Sequence, residues 1–103
     1  MSDIDAMALA KNYLKVVEQA GIDVERAYLF GSFAKVRTWE GSDVDLCIIS
    51  SQFGKNYLEE KSRLNKLTLK IDSRIEPVPF SPGDFGNKYD PLVAEIKRFG
   101  IQI

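Results

Sequence analysis

The sequence predicts an α/β (α+β) domain, one small mixed β-sheet of three or more strands flanked by helices. Three observations point there. Helical and strand periodicities alternate along the chain, which is how one sheet with covering helices is written. The second half of the segment Asp43 to Ile49 is apolar on both faces, as a central strand must be. The 103 residues fit a single domain, 1–103, with no repeat, low-complexity tract or linker to divide it.

The first element is a helix from about Asp3 to Ala20. Ala6, Leu9, Ala10, Tyr13, Leu14 and Val17 follow helical spacing, Ser2 and Asp5 suit a capped start, and Gly21 supplies the stop. A strand from Arg26 to Phe30 follows and ends abruptly at Gly31-Ser32. Phe33 to Ser42 reads as a turn of helix and then a loop, and Asp43 to Ile49 carries the strongest strand signal. A second helix runs from Lys55 to Lys70, with Leu58, Leu64, Leu67 and Ile71 as its buried stripe and Glu59 and Arg63 outside. The strand Arg74 to Phe80 carries Pro77 and Pro79. Proline removes ladder donors, so this strand is expected at an edge or to pair for only part of its length. Ser81-Pro82-Gly83 turns the chain, and a last helix spans Asp90 to Phe99.

Composition removes several chemistries. With no histidine, a Ser-His-Asp or Cys-His nucleophile is excluded, and so is an imidazole zinc site. Any metal must be held by oxygen, which favours magnesium or manganese. Cys47 is the single cysteine and sits in an apolar run, so it reads as a core residue in a reducing compartment. Fourteen basic and fifteen acidic residues leave a net charge of −1, with no general attraction to nucleic acid or anionic membrane. No apolar stretch approaches the ~20 residues of a membrane span, and the N-terminus lacks a secretory pattern. The expected location is cytoplasmic.

The chemistry concentrates in one place. Asp43 and Asp45 are two apart on a strand, so their carboxylates project to the same side with Cα atoms ~6.6–6.8 Å apart. Such a pair can converge on two metal ions ~3.5–4 Å apart, the spacing of two-metal phosphoryl transfer. A loop residue followed by an exposed strand position would look the same. Yet two acids at the head of an apolar central strand are costly unless something binds there. Gly31-Ser32, at a strand-to-helix turn, offers close backbone approach, a hydroxyl and an N–H at a helix start where anions are favoured.

Phe30-Gly31-Ser32-Phe33-Ala34-Lys35 followed by Ser42-Asp43-Val44-Asp45-Leu46 resembles the DNA polymerase β nucleotidyltransferase superfamily. Ten residues, Phe33 to Ser42, separate Gly31-Ser32 from Asp43, the spacing of the prokaryotic minimal nucleotidyltransferases. Glycine often follows the basic residue in that family, where this chain has Val36. The resemblance implies two Mg²⁺ ions, with Mn²⁺ able to substitute, held by Asp43, Asp45 and a third acid on a neighbouring strand. Glu76 is the expected third acid, in preference to Asp72, completing the metal cage and taking the proton of the attacking hydroxyl. An exposed strand acid paired with Lys or Arg is the alternative for Glu76. Gly31 and Ser32 would hold the phosphates of ATP or another NTP. Lys35 would reach the triphosphate or simply be a solvated surface lysine, and Trp39 has no assigned role.

Family members of this length resemble the antitoxin of HEPN/minimal-nucleotidyltransferase toxin–antitoxin pairs. The implied activity is transfer of AMP from ATP to a tyrosine of a HEPN-family partner. Two other readings stand beside it. One is an aminoglycoside-type small-molecule nucleotidyltransferase whose missing domain comes from a homo-oligomer mate. The other is a non-catalytic binding subunit.

Overall fold

The computed structural model describes residues 3–31 and 44–103. Helix α1, Asp3–Gln19, is followed by β1 (Arg26–Phe30), β2 (Val44–Ile49), α2 (Tyr57–Thr68) and β3 (Ile75–Phe80). A four-residue helix α3 (Pro82–Phe85), α4 (Pro91–Phe99) and a short strand β4 (Ile101–Gln102) complete the described chain. The sheet order is β3-β2-β1-β4. β2 runs antiparallel to β1 and parallel to β3, and β4 lies antiparallel to β1, so the sheet is mixed, as expected. β3 is an edge strand, the place its two prolines require.

Strand alternation divides the core in two. On one face Ala27, Leu29, Val44, Leu46, Ile48 and Ile75 pack under α1 and α2. α1 brings Ala6, Ala10, Tyr13 and Val17, all fully buried and spaced by three or four residues. Its Tyr13 hydroxyl donates to the Leu64 carbonyl of α2 at 2.7 Å, so this polar tip taken into the core is satisfied. On the other face Phe30, Cys47, Ile49 and Phe80 pack with Phe85 of α3 and with Val93 and Ile96 of α4. Asp90 caps α4 by accepting from the Leu92 N–H, with Pro91 in the first turn, and Ser81 caps α3 in the same way through the Asp84 N–H.

Three expectations need correction. Leu58 is 80% exposed and takes no part in the buried stripe of α2. It lies six residues before Leu64, about 120° round the helix from it. The inward face runs through Lys61, Leu64, Leu67, Thr68 and Ile71 instead. α2 also starts two residues later than Lys55, because Asn56 is its cap. The Glu60 carboxylate accepts backbone N–H bonds from Gly54, Lys55 and Asn56, which holds that approach in a non-helical turn. Ser81-Pro82-Gly83 is not a bare turn but the entry to α3. β4 was not foreseen. The expectations for Ser2 and for the segment 32–43 lie outside the described residues.

Candidate active site

Three strands meet in a row at one end of the sheet. Phe30 of β1 pairs with Asp45 of β2, and Asp45 pairs with Glu76 of β3. Alternation puts Asp45, Cys47 and Ile49 on one face of β2, and Glu76, Val78 and Phe80 on the same face of β3. Behind the acids that face is apolar and covered by α3 and α4. At the acids it opens: Asp45 is half-buried and the Glu76 side chain is 47% exposed.

Gly31 closes the third side. The chain leaves β1 there at φ +79°, a conformation that side chains rarely adopt. A Cβ built on Gly31 would overlap the Asp45 carboxylate oxygen Oδ2, and Asp45 Cβ would be only 3.3 Å away. Glycine is therefore required twice, by backbone conformation and by the nearness of the acid. The β1 turn and the β2 carboxylate lie directly against each other.

The two candidates for the third acid are placed differently. Glu76 is the lateral neighbour of Asp45. Asp72 lies before β3 and is engaged by Arg74, whose Nε and Nη2 reach its two carboxylate oxygens at 2.9 and 2.5 Å. That guanidinium holds the Asp72 carboxyl at about 2, well below the usual range. Cys47, one step behind Asp45, is fully buried, and burial pushes its thiol up to about 12. It stays neutral and offers no thiolate to a metal.

Among the described residues no three His, Cys, Asp or Glu side chains group closely enough to hold a metal by themselves. Asp45 and Glu76 supply two, and Asp43, Ser32 and Lys35 lie outside the described residues. Asp45 and Glu76 offer hard carboxylate oxygens with neither imidazole nor thiolate beside them, which fits Mg²⁺ or Mn²⁺ and not a soft metal.

One side chain at this site was not anticipated. Lys61 of α2 brings its ammonium within 3.7 Å of Glu76 Oε2. The sequence does hold a signal for it, since Lys61 sits three residues before Leu64 on the inward stripe, where a cation needs a partner.

The same architecture occurs in solved structures. A Sulfolobus solfataricus protein assigned as a nucleotidyltransferase superposes with a TM-score of 0.65 at 18% identity, covering 96% of this chain and 79% of its own. A doubly Asp-to-Glu-substituted form of the MntA–HpeT toxin–antitoxin pair gives 0.55 at 17% identity, covering 89% of this chain and 69% of its own. At such identities the likeness is one of fold. No curated protein sequence matches the chain. Among the described residues no helix is long and apolar enough to cross a membrane. The family model "Polymerase beta, Nucleotidyltransferase" matches residues 10–78, which include β1, Gly31, β2 and Glu76, and the chain belongs to that family.

Proposed function

We propose that the chain transfers a nucleoside monophosphate, AMP from ATP, to a hydroxyl of a partner protein, and that the acceptor is a tyrosine of a HEPN-family toxin. The observation that carries the reading is the close approach of Gly31 to the Asp45 carboxylate, with Glu76 in register beside it. The missing Gly31 side chain makes room for that carboxylate, and in this reading the bare backbone beside it is where the triphosphate meets the metal-binding oxygens.

In this reading Asp45 binds divalent ions together with Asp43, and Glu76 holds the catalytic one. Bound there, the ions neutralise triphosphate charge and stabilise the in-line transition state. Gly31 lets the phosphates approach the backbone, and Ser32 and Lys35 hold them. Glu76 takes the proton of the attacking hydroxyl. The new bond forms from that oxygen to the α-phosphorus, the bond from the α-phosphorus to the bridging oxygen breaks, and pyrophosphate leaves. Positioning and charge neutralisation suffice, so no side chain is modified. The partner assignment is supported by the fold shared with a toxin–antitoxin component. A cytoplasmic location goes with it.

The test is incubation of the chain with Mg²⁺, a HEPN-family partner and ATP labelled at either the α- or the γ-phosphate. Label on a partner tyrosine from α-ATP alone, lost with Asp45→Asn, is the expected result. Label confined to a small molecule would redirect the acceptor assignment. Partner neutralisation that survives Asp45→Asn without any label would sink the catalytic reading.

A further inference from the structure

Lys61 is built into the site more firmly than a surface lysine would be. It projects from α2, whose Leu64 belongs to the core on the opposite face, and reaches past the edge strand β3. Its Nζ donates to the Pro77 carbonyl at 2.5 Å and to Asn65 Oδ1 at 3.2 Å, and Glu76 Oε2 stands 3.7 Å away. Three oxygens thus surround an ammonium with three N–H groups, and the side chain is only 23% exposed. Two of those oxygens are neutral: the Pro77 carbonyl, fixed in the backbone of β3, and the side-chain amide oxygen of Asn65, a helical turn along α2. The backbone carbonyl anchors the ammonium independently of Glu76, the more exposed member of the pair.

We propose that Lys61 is a fixed counter-ion to Glu76 that makes the site select a metal–triphosphate complex over the free metal ion. The inference rests on Glu76 being a metal-binding acid. A positive charge beside that carboxylate repels a free divalent cation. It attracts a divalent ion already carried by a triphosphate, because that complex is anionic overall. Lys61 thereby ties metal loading to nucleotide arrival, as a positioning residue that touches neither reacting atom.

The two effects have opposite signs, which separates them from a loss of structure. Free Mn²⁺ binding is read by electron paramagnetic resonance, and binding of Mn²⁺ with a non-hydrolysable α,β-methylene ATP by calorimetry. Lys61→Met is expected to tighten free Mn²⁺ by about three- to tenfold, the scale of one screened charge near a divalent ion. The same variant is expected to weaken the Mn²⁺–nucleotide complex, and Lys61→Arg to behave as the parent in both. Should Lys61→Met fail to fold, Lys61→Gln, which keeps a donor for the Pro77 carbonyl, carries the same expectation. Equal shifts in one direction, or none, overturn the role of Lys61 so long as Glu76→Gln weakens Mn²⁺ binding. Unchanged Mn²⁺ binding in Glu76→Gln overturns the assignment of Glu76 itself and takes this inference with it.

Discussion

On one side of β2, Val44, Leu46 and Ile48 are fully buried beneath α1 and α2; on the other, Cys47 and Ile49 are equally buried but Asp45 is not. The covers explain the difference. α1 and α2 cover the first face, whereas on the second α3 and α4 bring Phe85, Val93 and Ile96 over Phe30, Cys47, Ile49 and Phe80 and leave Asp45 and Glu76 partly exposed. Tyr28 stacks on Phe85 with ring centroids 5.3 Å apart, and Phe80 meets the same ring edge-on at 5.9 Å. In the row formed by Phe30, Asp45 and Glu76, Phe30 belongs to that cluster, whereas Asp45 is half-buried and the Glu76 side chain is 47% exposed. Both faces therefore stabilise the fold, and the end of the second where the two acids sit is where polar chemistry can be placed without a desolvation penalty on every group.

The largest effect expected from this contrast is on the closed face. Leu46→Ala removes a fully buried side chain from the cluster under α1 and α2, and should cost about 2–5 kcal/mol in denaturant unfolding. A cost below about 1 kcal/mol would mean that this face is not the main core. Asp45→Asn should do the reverse. It should leave unfolding almost unchanged and lower nucleotidyl transfer by about 10²–10³-fold, the scale of losing one preorganised charge partner in a transition state. If it destabilised the fold and spared transfer, the division of labour between the faces would be wrong.

A smaller effect tests how the covering helices are joined. Tyr13→Phe deletes the hydroxyl that donates to the Leu64 carbonyl, and should cost about 1–2 kcal/mol. Burial raises the Tyr13 phenol far above its ordinary range, so no loss of stability from its ionisation is expected below the alkaline limit of ordinary buffers. A phenolate absorbance step in the native protein near the usual tyrosine value would contradict that burial.

The contrast between the faces was only partly legible in the residue order. α1 is readable because it carries one clean helical period, and β2 because its run of apolar residues fits no exposed strand. The edge position of β3 followed from Pro77 and Pro79. Leu58 is apolar but lies off the helical angle of the inward face, which a stripe of apolar residues does not show, while Lys61 and Thr68 occupy that face. Thr68 is tolerated there because its hydroxyl donates to the Asn65 carbonyl at 2.6 Å. β4 is two residues long, too short for alternation to register, and gains strand geometry only by pairing with Tyr28 and Leu29. For the site, the sequence spacing placed Gly31 near the acids but could not reveal that Gly31 and Asp45 press against each other. That contact depends on β1 and β2 being antiparallel with Phe30 opposite Asp45, a long-range fact.

The smallest expected effect concerns Asp72, the acid that the open row does not use. Its pair with Arg74 lies at the surface, so solvent screens it, and Asp72→Asn should cost less than about 1 kcal/mol at neutral pH. The sign of its pH dependence is fixed by the depressed carboxyl. In the unfolded chain Asp72 titrates near ~3.9; in the folded chain the Arg74 guanidinium and the Arg74 backbone N–H hold it at about 2. Its contribution is therefore fully present above the unfolded value and is lost as pH falls from about 4 toward about 2. Parent and variant stabilities should converge across that window and stay parallel above it. A gap that persisted at pH 2, or that opened instead between pH 5 and 8, would show that Asp72 is not held by Arg74 and would return it to contention with Glu76 as the third acid of the row.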